Sequence, residues 1–418
     1  MLSLREIVNR NGAFSLLASG VAITLFLPAG FISVAVVIFS LFMLLTMKRP
    51  ALALYTFNDL LLPMLLFGLY AVGILYSENS RIALDLLFRK IPLLLLPLMF
   101  FLSIREYKSN EFNLILFVFL CSAILASVVC YGVAGYKIIA TDSILYPSDH
   151  ANSYLFAYDA LANPIDFDPI YLSLFINFAF TICLFTNTIQ KSSWRILTGT
   201  YLAIFIFMLA SKIGIATLVL LLILRLVDSP NKGKLIMLSA VCLIIVFWVG
   251  VVKFPFLKER FKITVDIPYS EVDSGKWGST AFRIAIWSCT LETIGRNPIL
   301  GYGTGDGQAA LEATYYEKNF IRGYTDHYNA HNELFSTTLD LGILGLILLM
   351  LVLFVPLIRS IRFGDRLVTA FMILMILTLL VESAFLRQRA IVFFSFFFPL
   401  LYCRMTAGKQ EPADARVK

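Results

Sequence analysis

The sequence predicts an all-α protein in which about twelve helices cross a membrane and form a single membrane domain over residues 1–418. Hydrophobic residues make up 59% of the chain and charged residues only 15%, and the mean hydropathy is +0.83. Apolar runs long enough to span a hydrocarbon core of about 30 Å also recur along the whole sequence. We place these runs at 14–29, 31–47, 58–76, 84–104, 112–136, 169–187, 194–210, 213–227, 235–252, 334–358, 367–386 and 390–403.

The first two apolar runs are separated only by Pro28-Ala29-Gly30 and are therefore predicted to form a helical hairpin. The segment Phe14–Ala29 lacks a small-residue cleavage site, so we interpret it as a membrane helix rather than a cleaved signal. Further along, Arg89 and Lys90 fall inside the helix predicted at 84–104. Because a charge inside a membrane segment is costly, such residues often mark a functional cavity.

Ser211-Lys212 lies at the predicted start of the helix 213–227, in a short loop between two apolar runs. The first turn of a helix has free backbone N–H groups and the positive end of the helix dipole, and both favour an anion. Lys212 is therefore a candidate anion-binding residue. The alternative interpretation is a lysine that anchors the loop at the membrane surface.

Lysine and arginine residues are distributed unevenly between the two sides that the predicted helices define. An even number of helices puts both termini on one side, and the short segments of that side hold most of these residues. The positive-inside rule makes that side cytoplasmic. Two long polar stretches, 137–168 and 253–333, then lie on the outer face. The net charge of +7 reflects this topology, and no nucleic-acid partner is expected.

Two polar clusters in the outer stretch carry the residues best suited to chemistry. Arg283 lies four residues before Trp287 on a helix predicted from 281 to 294, so that the two side chains share a face. His331 lies where the polar loop meets the next membrane helix, and histidine can take up a proton near neutral pH. A base and a fixed cation at a membrane surface indicate chemistry on a lipid-linked anion. His327 and, with less support, His150 are alternatives to His331.

The run Gly301-Tyr302-Gly303-Thr304-Gly305-Asp306 looks superficially like a nucleotide-binding loop. It follows no predicted strand and lacks the Lys-Ser/Thr ending, so we do not predict a nucleotide site. Instead, the glycines provide a turn before a helix predicted at 307–318.

Other candidate features have simpler interpretations. The six cysteines show no CxxC spacing, so neither a metal site nor a disulfide framework is predicted. Glu382, Arg387 and Arg389 lie near the last outer turn and are expected to pair with each other. Tyrosines of the outer segments could stack on sugar rings, but tyrosine is also frequent at membrane interfaces. The sequence does not separate these two uses.

Several motifs, taken in order, resemble the O-antigen ligase and O-antigen polymerase superfamily. They are Arg283-xxx-Trp287, Asn297-Pro298-x-Leu300-Gly301-x-Gly303-Thr304-Gly305-Asp306, Ala330-His331-Asn332-Glu333-Leu334 and Leu341-Gly342-Ile343-Leu344-Gly345. Two further segments, Asp168-Pro169-Ile170-Tyr171-Leu172-Ser173 and Ala210-Ser211-Lys212-Ile213-Gly214, are similar to segments in one branch of that superfamily. The resemblance extends over most of the chain from residue 165 to residue 350.

The resemblance implies a metal-independent glycosyltransferase in the bacterial inner membrane, with both termini in the cytoplasm. Such an enzyme moves a glycan from undecaprenyl diphosphate to an acceptor hydroxyl, which in the ligases lies on the lipid A-core. Neither a metal nor another cofactor is required. The stretch 253–333 would be a periplasmic loop, embedded between the ninth and tenth predicted helices, and would carry the active site.

Residue by residue, Arg283 matches the family's arginine that contacts the diphosphate. His331 matches the histidine proposed to deprotonate or orient the acceptor hydroxyl. Lys212 stands where better-known members have an arginine, and this lysine keeps the charge but loses the forked geometry of a guanidinium. Together with Arg283, the residues Lys212, Arg89 and Lys90 are the candidates for binding the diphosphate.

Other functions remain open at this point. An O-antigen or exopolysaccharide polymerase of the same superfamily would use a second lipid-linked glycan as acceptor, and a protein O-oligosaccharyltransferase would use a protein. A polysaccharide or lipid transporter belongs to a different class. Transporters usually show internal repeats and polar groups at the membrane midplane, whereas the polar clusters here lie at the outer boundary.

Overall fold

The computed structural model describes residues 10–46, 58–102, 109–145, 154–227 and 279–407. These residues are helical and contain no strand, apart from one isolated bridge between Leu145 and Tyr154, which confirms the all-α class. The α-helices are α1 Arg10–Thr24, α2 Ala29–Leu45, α3 Leu61–Gly73, α4 Ser80–Leu102, α5 Ser109–Thr141, α6 Tyr158–Ala162, α7 Pro169–Phe185, α8 Ser192–Met208, α9 Lys212–Leu226, α10 Ser279–Arg296, α11 Gly307–Glu317, α12 Ile321–Thr325, α13 Glu333–Phe363, α14 Arg366–Leu379 and α15 Gln388–Ala407. Short 3₁₀ helices cover Asn58–Leu60, Ile74–Tyr76, Asn163–Ile165 and Ala384–Leu386.

Helices occupy the predicted apolar runs throughout the described residues, and the predicted span 235–252 lies outside them. By length and composition alone, three helices of the described part could cross a membrane, namely α5, α13 and α15. A fourth span would be formed if Tyr158–Ile165 and Pro169–Phe185, which are bent by 77° relative to each other, acted as one. The count of twelve spans therefore stays a prediction.

The chain divides into two compact units. The first unit comprises Met1–Thr46, Glu106–Phe261 and Gly364–Met375, and the second comprises Met47–Arg105, Lys262–Phe363 and Ile376–Lys418. In the first unit, α1, α2, α5 and α7 pack through phenylalanine side chains. The ring centroid of Phe119 in α5 lies 5.3 Å from that of Phe26, in the link between α1 and α2, and 5.2 Å from that of Phe178 in α7.

Two helices of the first unit begin at side chains that cap them. Asp168 precedes Pro169, and its carboxylate accepts a hydrogen bond from the backbone N–H of Ile170 at 2.7 Å. Ser211 caps α9 in the same way, because its hydroxyl accepts from the N–H of Gly214 at 3.2 Å. Each cap satisfies an N–H group that the helix itself leaves unpaired. The structure therefore confirms that a helix begins at Ser211-Lys212.

In the second unit, α13 is broken at Gly342, whereas the sequence predicts an uninterrupted helix from 334 to 358. Gly342 has φ 63° and ψ −157°, a conformation that is nearly restricted to glycine. The turn that precedes α11 fills the break: the N–H of Ile343 donates to the carbonyl of Pro298 at 2.9 Å, and the N–H of Tyr302 donates to that of Leu339 at 2.8 Å. Backbone groups that the break releases are thus paired with the turn.

The same glycine-rich turn is fixed to the start of α4. The carboxylate of Asp306 accepts from the N–H groups of Glu78 at 2.6 Å and Asn79 at 3.1 Å. The N–H of Gly305 donates to the hydroxyl of Ser77 at 3.1 Å, and the N–H of Gly303 donates to the carbonyl of Asp340 at 2.9 Å. These N–H groups have protein acceptors, so they cannot cradle a phosphate. The turn is a clasp that joins α4 to α13.

We expect Gly342→Ala to destabilise the protein, because a Cβ at this position would collide with the carbonyl oxygen of Ile299. The strained backbone alone costs about 1–3 kcal/mol for a residue other than glycine. Gly68→Ala in α3 is the matched control, because a Cβ there meets no heavy atom within 4 Å and alanine favours a helix. Thermal melting of the purified proteins should show a clear loss of melting temperature for Gly342→Ala only; equal melting temperatures would contradict the role of this clasp.

Candidate functional site

Helix α10 carries Arg283 and is held by a core of its own. Ala285, Ile286 and Cys289 of this helix are buried against Leu311 and Tyr315 of α11 and against Phe320, which precedes α12. The helix predicted at 281–294 is thus confirmed, and it extends by two residues at each end. Trp287, on the same face as Arg283, packs edge-on against Phe335 with ring centroids 6.0 Å apart. The packing fixes the place of Arg283.

His331 immediately precedes the residue that caps α13. The side-chain oxygen of Asn332 accepts hydrogen bonds from the N–H groups of Leu334 at 2.9 Å and Phe335 at 3.2 Å. The backbone of His331 has φ 44°, in the left-handed region that residues other than glycine rarely adopt. Its N–H donates to the side-chain oxygen of Asn329 at 2.9 Å, and this bond supports the unusual conformation. The position of the imidazole is therefore set by the local backbone.

A turn between α14 and α15 lies against the start of α13. The sequence predicts a helix from 367 to 386, but α14 ends at Leu379 and is followed by a turn that includes the 3₁₀ helix Ala384–Leu386. The N–H of Asn332 donates to the hydroxyl of Ser383 at 3.2 Å, and its side-chain amide donates to the carbonyl of Leu380 at 3.0 Å. The N–H of Phe385 donates to the carboxylate of Glu333 at 2.9 Å. These tertiary contacts explain the early end of the helix, which an apolar run does not reveal.

The turn places Glu382 between the two residues that the sequence singles out. Nη2 of Arg283 donates to one carboxylate oxygen of Glu382 at 2.6 Å, and Nδ1 of His331 lies 3.1 Å from the other. The carboxylate is 8% exposed, against 23% for Arg283 and 25% for His331. The expected pairing of Glu382 with Arg387 and Arg389 missed both of these partners. A single carboxylate within an otherwise apolar run was the available signal.

The electrostatics of this group follow from burial and from the two partners. Burial would by itself raise the pKa of Glu382, but the hydrogen bond with His331 and the charges of His331 and Arg283 outweigh it and hold the pKa below its usual value. An ionised carboxylate favours the imidazole tautomer with a proton on Nδ1. Among the described residues, Glu382 is the hydrogen-bond partner of both side chains. Within that part of the chain, Nε2 of His331 and the remaining N–H groups of Arg283 are thereby left for a ligand.

Lys90 lies deep in α4 and close to the start of α13. Its side chain is 1% exposed, its ammonium nitrogen lies 3.9 Å from a carboxylate oxygen of Glu333, and it stands 4.1 Å above the ring of Tyr70. The hydroxyl of Tyr70 is hydrogen-bonded to that of Thr337 at 3.0 Å. Glu333 balances the charge of Lys90. A diphosphate could therefore reach this ammonium group only if the pair of Lys90 and Glu333 opened. The adjacent Arg89 is exposed.

Three further candidates are Lys212, His327 and His150. Lys212 is half-buried at the first position of α9, in the first unit, whereas Arg283, His331 and Glu382 belong to the second. His327 is 72% exposed, and its Nδ1 lies 3.1 Å from the carboxylate of Glu312. His150 lies outside the described residues. No group of three or more His, Cys, Asp or Glu side chains suited to a metal ion occurs in the described part of the chain.

Comparison with known families supports the interpretation of these motifs. Residues 197–350 match the family model described as O-antigen ligase (Wzy_C). The matched stretch contains Lys212, Arg283 and His331, and ends within α13, whereas Glu382 lies beyond it. No curated protein is significantly similar to the chain. The resemblance that the motifs indicate is confirmed over residues 197–350, which are similar to the O-antigen ligase family.

Proposed function

We propose that this protein is a glycosyltransferase of the inner membrane that moves a glycan from undecaprenyl diphosphate to a hydroxyl of the lipid A-core. One observation carries the proposal: Glu382 contacts both the guanidinium of Arg283 and the imidazole of His331. A fixed cation and an oriented base are thereby joined at one place. These are the two groups that transfer from a diphosphate carrier to a hydroxyl requires.

The proposed reaction has one proton transfer and one displacement. Nε2 of His331 takes the proton of the acceptor hydroxyl while that oxygen attacks the anomeric carbon of the donor glycan. The bond between this carbon and the diphosphate oxygen breaks, and the carrier diphosphate leaves with the electron pair. Arg283 stabilises the negative charge of the leaving group through its remaining N–H groups. Glu382 stabilises the imidazolium that forms on His331.

A diphosphate carries more negative charge than Arg283 alone can balance, because Glu382 already neutralises part of the positive charge of that arginine. We propose Lys212 and Arg89 as further contacts of the diphosphate. Lys212 combines an ammonium group with the start of a helix, and Arg89 has an exposed guanidinium. For Lys90 we propose an indirect role: through Glu333 it supports the turn that carries Glu382.

In a transfer assay with purified protein and a lipid-diphosphate-linked glycan, His331→Ala and Arg283→Ala should each remove most activity. A positioned base typically contributes about 10²–10⁴-fold. His327→Ala should cost much less than either, because His327 contacts Glu312 instead of Glu382 and so is not the oriented base. A metal chelator should change nothing.

If chelation stops transfer and His327 proves as necessary as His331, the metal-independent mechanism is wrong. The same assay identifies the acceptor. Transfer to the lipid A-core supports a ligase, and transfer only to a second lipid-linked glycan supports a polymerase.

Glu382→Gln tests the bridge itself. A glutamine side chain accepts hydrogen bonds only through its oxygen, so its NH₂ group would face a donor of either Arg283 or His331. We expect transfer to fall at least about tenfold with normal expression, since the imidazole loses the carboxylate that orients it. An unchanged rate would exclude Glu382 as a positioning residue.

We further propose that the site faces the periplasm and that both termini are cytoplasmic, because lysine and arginine prevail on the opposite side. Ala313 on α11 and Ser193 on α8 are both exposed and small, and so form a matched pair of positions for cysteine. An impermeant maleimide added to intact spheroplasts should label Ala313→Cys but not Ser193→Cys, above the signal of the parent protein. The reverse pattern would put the site in the cytoplasm.

A further inference from the structure

One face of α11 presents a row of side chains that the proposed reaction does not use. Gln308, Glu312 and Tyr316 are spaced by four residues and therefore lie above one another on the helix surface. The amide of Gln308 donates to the carboxylate of Glu312 at 2.8 Å. Side chains from the following segment, Tyr324 and His327, complete this surface. We call the five residues the α11 surface.

An exposed pair of aromatic rings forms one end of the α11 surface. The ring centroids of Tyr316 and Tyr324 lie 5.6 Å apart. Tyr316 is 65% exposed and Tyr324 is 41% exposed, so both side chains are accessible to a ligand. Two neighbouring aromatic rings that stay exposed are unusual unless they meet a partner, since burying such rings is favourable.

Hydrogen-bonding groups adjoin the rings. The carboxylate of Glu312 lies 3.1 Å from Nδ1 of His327, and the amide of Gln308 is beside it. Tyrosine, carboxylate, imidazole and amide together offer flat apolar faces next to donors and acceptors. A sugar ring has this same combination, because its C–H groups form an apolar face and its hydroxyls project at the edge.

The α11 surface is continuous with the candidate site. The amide of Gln308 donates to the carbonyl of Tyr328 at 3.2 Å. The ring of Tyr328 in turn lies 6.0 Å from that of His331 and 4.8 Å from that of Phe282, the neighbour of Arg283. The surface therefore leads to the imidazole, the group that acts on the acceptor hydroxyl in the proposed reaction.

We propose that the α11 surface binds the sugar chain of the acceptor, with Tyr316 and Tyr324 stacking on sugar rings and with Glu312, His327 and Gln308 binding their hydroxyls. This inference rests on the proposed function for its assignment to the acceptor. It also resolves, for these two tyrosines, the choice that the sequence leaves open between a sugar-binding and a membrane-interface role.

The test is direct binding of two probes to the full-length protein in nanodiscs. The first probe is core oligosaccharide released from lipopolysaccharide of the producing strain, and the second is polymer released by mild acid from the lipid-linked donor. Tyr316→Ala and Tyr324→Ala should each weaken binding of the core oligosaccharide about fivefold or more. Tyr136→Ala on α5 is the control, because this tyrosine is 72% exposed and lies in the first unit.

The proposal is overturned if the core oligosaccharide does not bind, if the two variants bind it like the parent protein, or if Tyr136→Ala weakens it equally. Weakening of the polymer alone would assign the surface to the donor and would also overturn the proposal. Arg283→Ala protein separates this inference from the proposed function, since it lacks the contact to the donor diphosphate and should bind core oligosaccharide normally although it transfers little. If the parent protein showed no transfer activity but its binding of core oligosaccharide still depended on the two tyrosines, the proposed reaction would be rejected. The proposal that the α11 surface binds sugar would stand.

Discussion

The turn between α14 and α15 determines the geometry of the site, because it binds the first residues of α13 and carries the carboxylate that orients the imidazole. Asn332 contributes twice to this contact, since it caps α13 with its oxygen and binds the carbonyl of Leu380 with its amide. The carboxylate of Glu333 accepts a hydrogen bond from the N–H of Phe385. Consecutive side chains at the start of one helix thus bind one turn, and Glu382 acquires a fixed position relative to His331.

Charges in this region are arranged in pairs of unequal exposure. The pair of Arg283 and Glu382 is partly open to solvent, whereas Lys90 and Glu333 are 1% and 0% exposed. An open pair can exchange one partner for a ligand at modest cost, but a buried pair cannot be separated without leaving an uncompensated charge. The first pair therefore suits substrate binding, and the second suits the support of the turn beneath it.

The helices could be predicted from apolar runs because each run is long compared with the error at its ends, and the motif order pointed to Arg283 and His331. The break at Gly342 could not be predicted from the sequence, since the residues around it remain apolar. Only the close approach of residues 298–303 makes a glycine necessary there. Glu382 was equally hidden. Its partners are distant in sequence, and their approach depends on tertiary packing that periodicity does not encode.

Synthesis proceeds from the N-terminus, and this order has a consequence for Lys90. Its supporting contacts come from the far end of the chain: Tyr70, whose ring lies beneath the ammonium group, is hydrogen-bonded to Thr337 across a separation of 267 residues, and Glu333 is made equally late. Until α13 has been translated, Lys90 has no Glu333 to balance its charge within an apolar helix. Helix α4 therefore reaches its final packing only after α13 has been made. Assembly of the second unit is a late event in folding, and its long-range contacts slow it down.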